Sequence, residues 1–204
     1  MRIVSFKLIL IIVLVSSLIP QSKFVTNKSI ENDQVDILLI FDNPFGPEYF
    51  HSRKILEDRF GWNVKTTSFF KTILPCDEES YPNETVNYTI DKVPILETFD
   101  IISNMGGPNQ DNLMSSTAVL NLVKSAVQKG LIVSAWCRAV RVLAVADVID
   151  GIHVTGYWDF KAEYEAAGAI YHNYVPPIID GNIVTCFEHT ISHGNVCSIS
   201  KSCW

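Results

Sequence analysis

Charge is scarce in this chain. Lys and Arg number 16 and Asp and Glu 22 among 204 residues, a charged fraction of 19% with a net charge of −6. That balance repels a phosphate backbone, and no basic stripe with interleaved aromatics offsets it, so nucleic acid is not an expected partner. No Walker-type loop, Rossmann fingerprint or Ser-His-Asp order is present, and no cofactor is expected. Metal ligands are as sparse. His189, His193 and Cys197 would meet only if the last residues folded to suit them, so no metal site is expected. There is no internal repeat and no low-complexity tract. Apolar residues are what the chain has in plenty: 48% are hydrophobic, enough to bury one core, while the length is too short for two comfortable domains.

The first 22 residues read as a separate object. Arg2 and Lys7 precede an unbroken apolar run over 8–15, which continues through Leu18 and Ile19 and ends at Pro20. Positive residues in front and polar Gln21, Ser22 and Lys23 behind are the layout of an export signal, either cleaved or kept as a membrane anchor. A polar linker over 23–34 follows. Sequons at Asn27, Asn83 and Asn87 agree with an extracytoplasmic glycoprotein, secreted or held at the membrane by its leader. Five cysteines in an oxidising compartment leave one over if the others form disulfides. Cys186, Cys197 and Cys203 crowd the C-terminus and Cys76 lies in the loop with two sequons, so Cys137 is the expected odd one. Five reduced, structural cysteines are the alternative.

From Val35 the pattern becomes that of a folded domain. The run Val35, Asp36, Ile37, Leu38, Leu39, Ile40, Phe41 is too apolar for a surface strand and predicts a central parallel one, ended by a turn at Asp42, Asn43 and Pro44. Residues 49–60 carry Phe50, Ile55, Leu56 and Phe60 at helical spacing with Gly61 as C-cap, and 62–66 predict a second strand. Residues 69–98, rich in Pro, Glu, Asn and Tyr, read as loop. A strand over 99–104 closes on Met105, Gly106, Gly107 and Pro108. A helix follows over 116–129, with Val119, Leu120, Leu122, Val123 and Val127 inward and Gly130 ending it. Then comes a buried strand over 131–135. Alternating strands and helices with short links imply parallel pairing and a sheet covered on both faces. Ligands of such sheets lie at the carboxyl ends of strands, which is where Cys137, the Gly106-Gly107 pair and the loop after Phe41 fall.

Ala135, Trp136, Cys137, Arg138 and Ala139 put small residues two before and two after a cysteine, at the junction of a strand and a helix. This is the layout of a nucleophile elbow, whose turn is so sharp that its neighbours must be small. A helix starting at Ala139 would aim its amide hydrogens at the sulfur and favour thiolate over thiol, with Arg138 as a nearby cation. Taken alone, a cysteine after a buried strand is a small core hydrophobe. Gly106 and Gly107 shift the reading, since bare backbone amides at the end of a neighbouring strand can help form an oxyanion hole.

The order and spacing of these segments resemble the ThiJ/PfpI family of the class I glutamine-amidotransferase-like superfamily. The resemblance spans 35–185. It rests on Phe99, Asp100, Ile101 and Ile102 leading to Gly106-Gly107, on 130–137 ending in Cys137, and on 143–151 leading to Val154-Thr155. Glu165, Ala166, Ala167, Gly168 and Ala169, and a closing hairpin over 177–185, add to it. The resemblance implies a flavodoxin-like three-layer α/β sandwich with a mostly parallel central sheet. It also implies cysteine-dependent hydrolase, deglycase or glyoxalase-like chemistry on a small carbonyl-containing molecule or a peptide, in a homodimer or larger homo-oligomer. Cys137 matches the family's nucleophile, and Gly106, Gly107 and the amide of Arg138 match its oxyanion region. The family's carboxylate position falls on Glu48 or Tyr49, of which Glu48 is the choice.

The departures are as informative. Peptidase-like members place His directly after the cysteine, where this chain has Arg138, so the usual general base is missing. Aldehyde or glycation-adduct chemistry is then easier to support than peptide hydrolysis, whose amine leaving group needs a proton donor. His153 and His172 match no position of the family motif and read as surface or strand-end histidines. Tyr157 and Trp158 fall where relatives keep a loop facing the site, and predict aromatic walls. Residues 186–204 lack the apolar period of the relatives' last helix and are either a disulfide-tied, Cys-rich tail or a truncation. A binding or redox-sensing module that kept the fold and lost turnover is the alternative function.

Overall fold

The apolar run after the linker is the middle of a sheet. β1 (Asp36–Ile40) pairs in parallel with β2 (Asn63–Ser68) on one side and with β6 (Ile101–Asn104) on the other, with Leu38 opposite both Lys65 and Ile102. Residues 37–41 are all almost completely buried, because a central parallel strand has no solvent face. Each such Leu or Ile contributes about 1.5–3 kcal/mol by leaving water. The computed structural model describes residues 34–46, 48–77, 80–173, 175 and 177–187. The leader, the sequon at Asn27, and His189, His193, Cys197 and Cys203 lie outside the described residues. No helix among the described residues is long and apolar enough to cross a membrane.

Beyond β6 the sheet continues through β7 (Ile132–Trp136), β11 (Ile183–Cys186) and β10 (Ile178–Asp180). On the far side of β2 it ends at β5 (Tyr88–Thr89). The full order is β10-β11-β7-β6-β1-β2-β5, and only β10, the outer strand of the closing hairpin, runs antiparallel. Two small sheets stand apart: β3 (Thr72–Ile73) with β4 (Glu84–Thr85), and β8 (His153–Val154) with β9 (Ile170–Tyr171). Leu38, Ile40, Ile102, Val133 and Ala135 form one core with three helices: α3 (Thr117–Gln128), α4 (Val140–Val145) and α5 (Lys161–Ala166). Ile37 and Leu39, sent the other way by strand alternation, are equally buried. The α/β fold with a mostly parallel sheet is therefore as the sequence implies. α3 starts at the expected place, with the Ser116 hydroxyl accepting from the amide of Val119.

Three expectations need correction. The first helix, α1 (Glu48–Lys54), passes into a π-helical turn over Ile55–Arg59 before Gly61 ends it at φ +68°. The wider turn breaks the 3.6-residue period. The buried positions are Tyr49 and Ser52, while Phe50, Ile55, Leu56 and Phe60 stay half-buried or exposed. Residues 69–98 are more than loop, since they supply β3, β4 and the edge strand β5 and bury Ile73, Val86 and Ile90. The domain also runs past Thr185, because Cys186 pairs with Trp136 in the sheet and Phe187 is buried after it. Among the sequons within the described residues, Asn83 is exposed, while the Asn87 carboxamide oxygen accepts from both the amide and the hydroxyl of buried Thr66.

Candidate active site at the carboxyl edge of the sheet

β7 ends abruptly at Cys137. This residue has φ +54°, a left-handed conformation that costs a non-glycine residue about 1–2 kcal/mol. A 3₁₀ turn over Cys137–Ala139 follows and α4 begins only at Val140, one residue later than the sequence suggests. Ala135 and Ala139, the small residues flanking the cysteine, are both completely buried, which explains why they must be small. The elbow is therefore present with the strain expected of one. Cys137 is 7% exposed, at the sheet edge where the strands end.

Neighbouring strand ends close around the elbow. The Arg138 guanidinium donates to the Pro108 carbonyl at 2.9 Å, which ties the elbow to the loop carrying Gly106 and Gly107. A side chain on Gly107 would place its Cβ 3.3 Å from the Gly46 amide and 3.5 Å from the Pro44 carbonyl, so glycine lets this loop lie directly on the one after β1. The Asn43–Pro44 peptide of that loop is cis. Asp42, 1% exposed, accepts from the amide of Asn43 at 2.8 Å and from the backbone and side-chain amides of Asn112 at 3.1 and 2.8 Å. Its carboxylate thereby joins the β1 loop to α2 (Asp111–Ser115).

Of the two aromatic residues expected near the site, Tyr157 lies beside the elbow. The Tyr157 amide donates to the Cys137 carbonyl at 3.3 Å, and the Tyr157 ring lies 4.9 Å from the Arg138 guanidinium carbon, with Phe160 on the same cation at 5.8 Å. Trp158 leans on Tyr157 and is 46% exposed, while Phe187 stacks on Tyr157. Tyr164 beneath them is fully buried. Its phenol is held well above the usual tyrosine range, first by burial and then by negative charge on Cys137. Of the two candidates after β1, Tyr49 belongs to the core: it packs among Phe41, Phe45 and Phe50, its hydroxyl accepts from Arg53, and burial raises its pKa. Glu48 opens α1 at the same end of the sheet. His153 and His172 are not drawn to the cysteine. They face each other at 2.8 Å and line a groove of about 620 Å³ with Val175, Pro177, Ile178, Ile179 and Asp180. Among the described residues no cluster of three or more metal-ligating side chains occurs.

The disulfide expectation divides. Cys76 is disulfide-bonded, as suggested, but Cys186 keeps its thiol as the last residue of β11, 5% exposed. It belongs to the sheet rather than to a cross-linked tail. Sequence reading also missed a polar lining. Buried side-chain atoms of Thr67, Ser68, Asn104, Gln110 and Thr155 have no hydrogen-bond partner among the described residues; all but Gln110, which precedes α2, occur at or just past the carboxyl ends of β2, β6 and β8. Gln110 is the extreme case. It is 1% exposed, neither end of its amide has a partner among the described residues, and its nitrogen lies 3.5 Å from where a Gly107 Cβ would stand. Native proteins rarely leave buried polar groups unmet away from functional sites. Nothing in the local sequence marks Gln110, whereas Asp42 at the end of a buried apolar strand does carry a signal.

Residues 33–192 match the DJ-1/PfpI family. The chain belongs to this family. Protein DJ-1 homolog D of Arabidopsis thaliana is 30% identical over 106 residues, which cover 50% of this chain and 27% of that protein, so the matched part is about a quarter of its length. A ThiJ/PfpI domain protein from Brachyspira murdochii superposes with a TM-score of 0.68 at 20% identity, covering 76% of this chain and 88% of that one. Drosophila melanogaster DJ-1beta gives 0.63 at 20% identity, with 74% and 81% covered. These likenesses establish the DJ-1/PfpI fold that the motifs around Cys137 implied.

Proposed function

We propose that this DJ-1/PfpI protein performs cysteine-dependent chemistry on a small carbonyl compound, with Cys137 as the nucleophile. The observation that carries the reading is the left-handed elbow at Cys137, joined through Arg138 to the glycine loop. Such strain persists where surrounding structure over-determines it, and it clusters at sites of chemistry. In the proposed step the thiolate attacks the carbonyl carbon, an S–C bond forms, and the C=O π pair moves onto oxygen. Amides of Gly106, Gly107 and Arg138 stabilise that oxyanion. Glu48 moves the proton. Gln110, whose amide offers both a donor and an acceptor, orients the substrate's polar end.

Arg138 cannot stand in for the missing histidine, because it stays charged and is already engaged by Pro108 and Tyr157. Proton delivery to an amine leaving group is thus unsupported, which favours aldehyde or glycation-adduct chemistry over peptide hydrolysis. The same engagement is what supports the alternative, a binding or redox-sensing module in which Arg138 closes the pocket. An extracytoplasmic setting, secreted or anchored, is part of the proposal. The disulfide at Cys76 supports it, since such bonds persist in oxidising compartments. Assembly as a homodimer or larger oligomer is a further part of the proposal, carried from the family resemblance and open to sedimentation analysis. Turnover of methylglyoxal, model esters and peptides by the full chain and by Cys137→Ala tests the catalytic reading. Loss of turnover in the variant supports it, and turnover that survives the substitution or is absent throughout favours the module.

A further inference from the structure

We propose that His153 and His172 form a chelating pair for a divalent transition metal, copper(II) ahead of zinc, at a site that does not include the elbow. Parallel pairing builds it. His153 in β8 stands opposite Ile170 in β9, and His172 comes two residues later, so strand alternation puts all three side chains on one face of the small sheet. Both backbones are tied down. The His172 amide donates to the Val154 carbonyl at 2.8 Å, and the His153 amide donates to the Asp180 carboxylate at 2.9 Å. Ile170 is 45% exposed, so this face meets solvent and an ion can reach it.

The two rings are inclined at 18° with centroids 5.1 Å apart, and His153 Nδ1 is 2.8 Å from His172 Nε2. They therefore meet edge to edge, each nitrogen aimed at the other. Two nitrogens about 2.0 Å from one ion stand about 2.8 Å apart when their bonds are at right angles, and about 3.3 Å apart when the ion is tetrahedral. The observed separation matches the right angle, which a tetragonal copper(II) ion favours and zinc does not. Copper(II) is also the tightest binder in the first-row divalent series. Each ring has only to tilt until its lone pair meets the ion, and the exposed His153 side chain has room to do so.

Binding needs no change of charge on the pair. Before the ion arrives, one of the facing nitrogens carries the shared hydrogen and the other accepts it. On binding, that hydrogen moves to the outer nitrogen of its own ring, both imidazoles stay neutral, and each gives the ion a lone pair. Two side chains fill two positions and water fills the rest, which agrees with the lack of any cluster of three metal-ligating side chains among the described residues. The Asp180 carboxylate lines the same groove as both histidines and adds negative charge near the cation. A bound ion clips β8 to β9, and this inference does not depend on Cys137 being reactive.

The test titrates the full chain, its accessible thiols first blocked with N-ethylmaleimide, with copper(II), zinc and magnesium by calorimetry. His153→Ala, His172→Ala and the double variant are titrated beside it. Copper(II) should bind tightest, zinc more weakly and magnesium not at all. Because chelation needs both rings, either single substitution should weaken copper binding at least about tenfold, and the double variant should lose little more. Electron paramagnetic resonance of the copper complex should show couplings to two imidazole nitrogens, a pattern that both single variants lose. At copper about a hundredfold above its Kd, the wild-type Tm should rise by about 5–10 °C, and that rise should be absent in the double variant. The chelating pair is overturned if the double variant binds copper as tightly as wild type, which would place the ion on other residues. It is overturned equally if the single losses are small and simply add, or if zinc binds more tightly than copper.

Discussion

Replacing Arg138 probes how the elbow is held. Its guanidinium donates to the Pro108 carbonyl at 2.9 Å and covers the rings of Tyr157 and Phe160 at 4.9 and 5.8 Å. A hydrogen bond from a charged donor contributes about 1.5–3 kcal/mol, and each cation–ring contact at a half-exposed site about 0.5–1 kcal/mol. These terms overlap and water replaces part of them, so Arg138→Ala is expected to lose about 2 kcal/mol. Arg138→Lys, which keeps the charge but not the planar fork, should lose about half as much. For a domain of this size 2 kcal/mol corresponds to about 4–8 °C in Tm. Urea unfolding with an unchanged m-value, together with calorimetry, measures both variants. The reasoning is refuted if Arg138→Ala unfolds within about 0.5 kcal/mol of wild type. It is refuted equally if the lysine variant is the less stable of the two.

Other substitutions test other parts of the site and its frame. Gly168→Ala would put a Cβ 2.1 Å from the Asp150 carboxylate at φ +83°, so a loss above about 2 kcal/mol is expected, with part recovered in Gly168→Ala/Asp150→Ala. Equal stability of single and double variants would show that the clash is not the cause. Gln110→Leu removes an unsatisfied buried amide; it should leave stability unchanged or raise it by about 1 kcal/mol while lowering turnover. A clear loss of stability would mean that the amide is satisfied in the protein. Alkaline titration followed by tyrosinate absorbance tests Tyr49 and Tyr164, whose phenols are pushed up by burial. Their neutral forms are favoured in the folded state, so the stabilisation is complete below the unfolded pKa of about 10. It is lost above that value at about 1.4 kcal/mol per pH unit for each tyrosine. Native protein in which every tyrosine ionises near pH 10 would contradict this.

Much of the fold could be read before any coordinates, for definite reasons. The run ending at Phe41 and the strand before Cys137 are apolar on both faces, and only a central parallel strand needs that. Ala135 and Ala139 mark the elbow because the turn itself rejects larger residues. The π-turn after Lys54 was hidden, since no residue type signals it. β5 was hidden because a two-residue edge strand is defined by the partner it meets, not by its own pattern. Cys186 was misread for a related reason: counting cysteines near the C-terminus says nothing of which belong to the sheet. Gln110 could not have been found at all, because its burial beside Gly107 depends on the loop after β6 lying on the loop after β1.

The most direct measurement is the rate at which iodoacetamide alkylates Cys137 at neutral pH in the folded full chain, set against a small free thiol and against Cys186. An elbow that presents sulfur to backbone amides predicts alkylation of Cys137 faster than the small thiol, with Cys186 untouched over the same interval. Alkylation of Cys137 no faster than the small thiol, or only after denaturation, would contradict it.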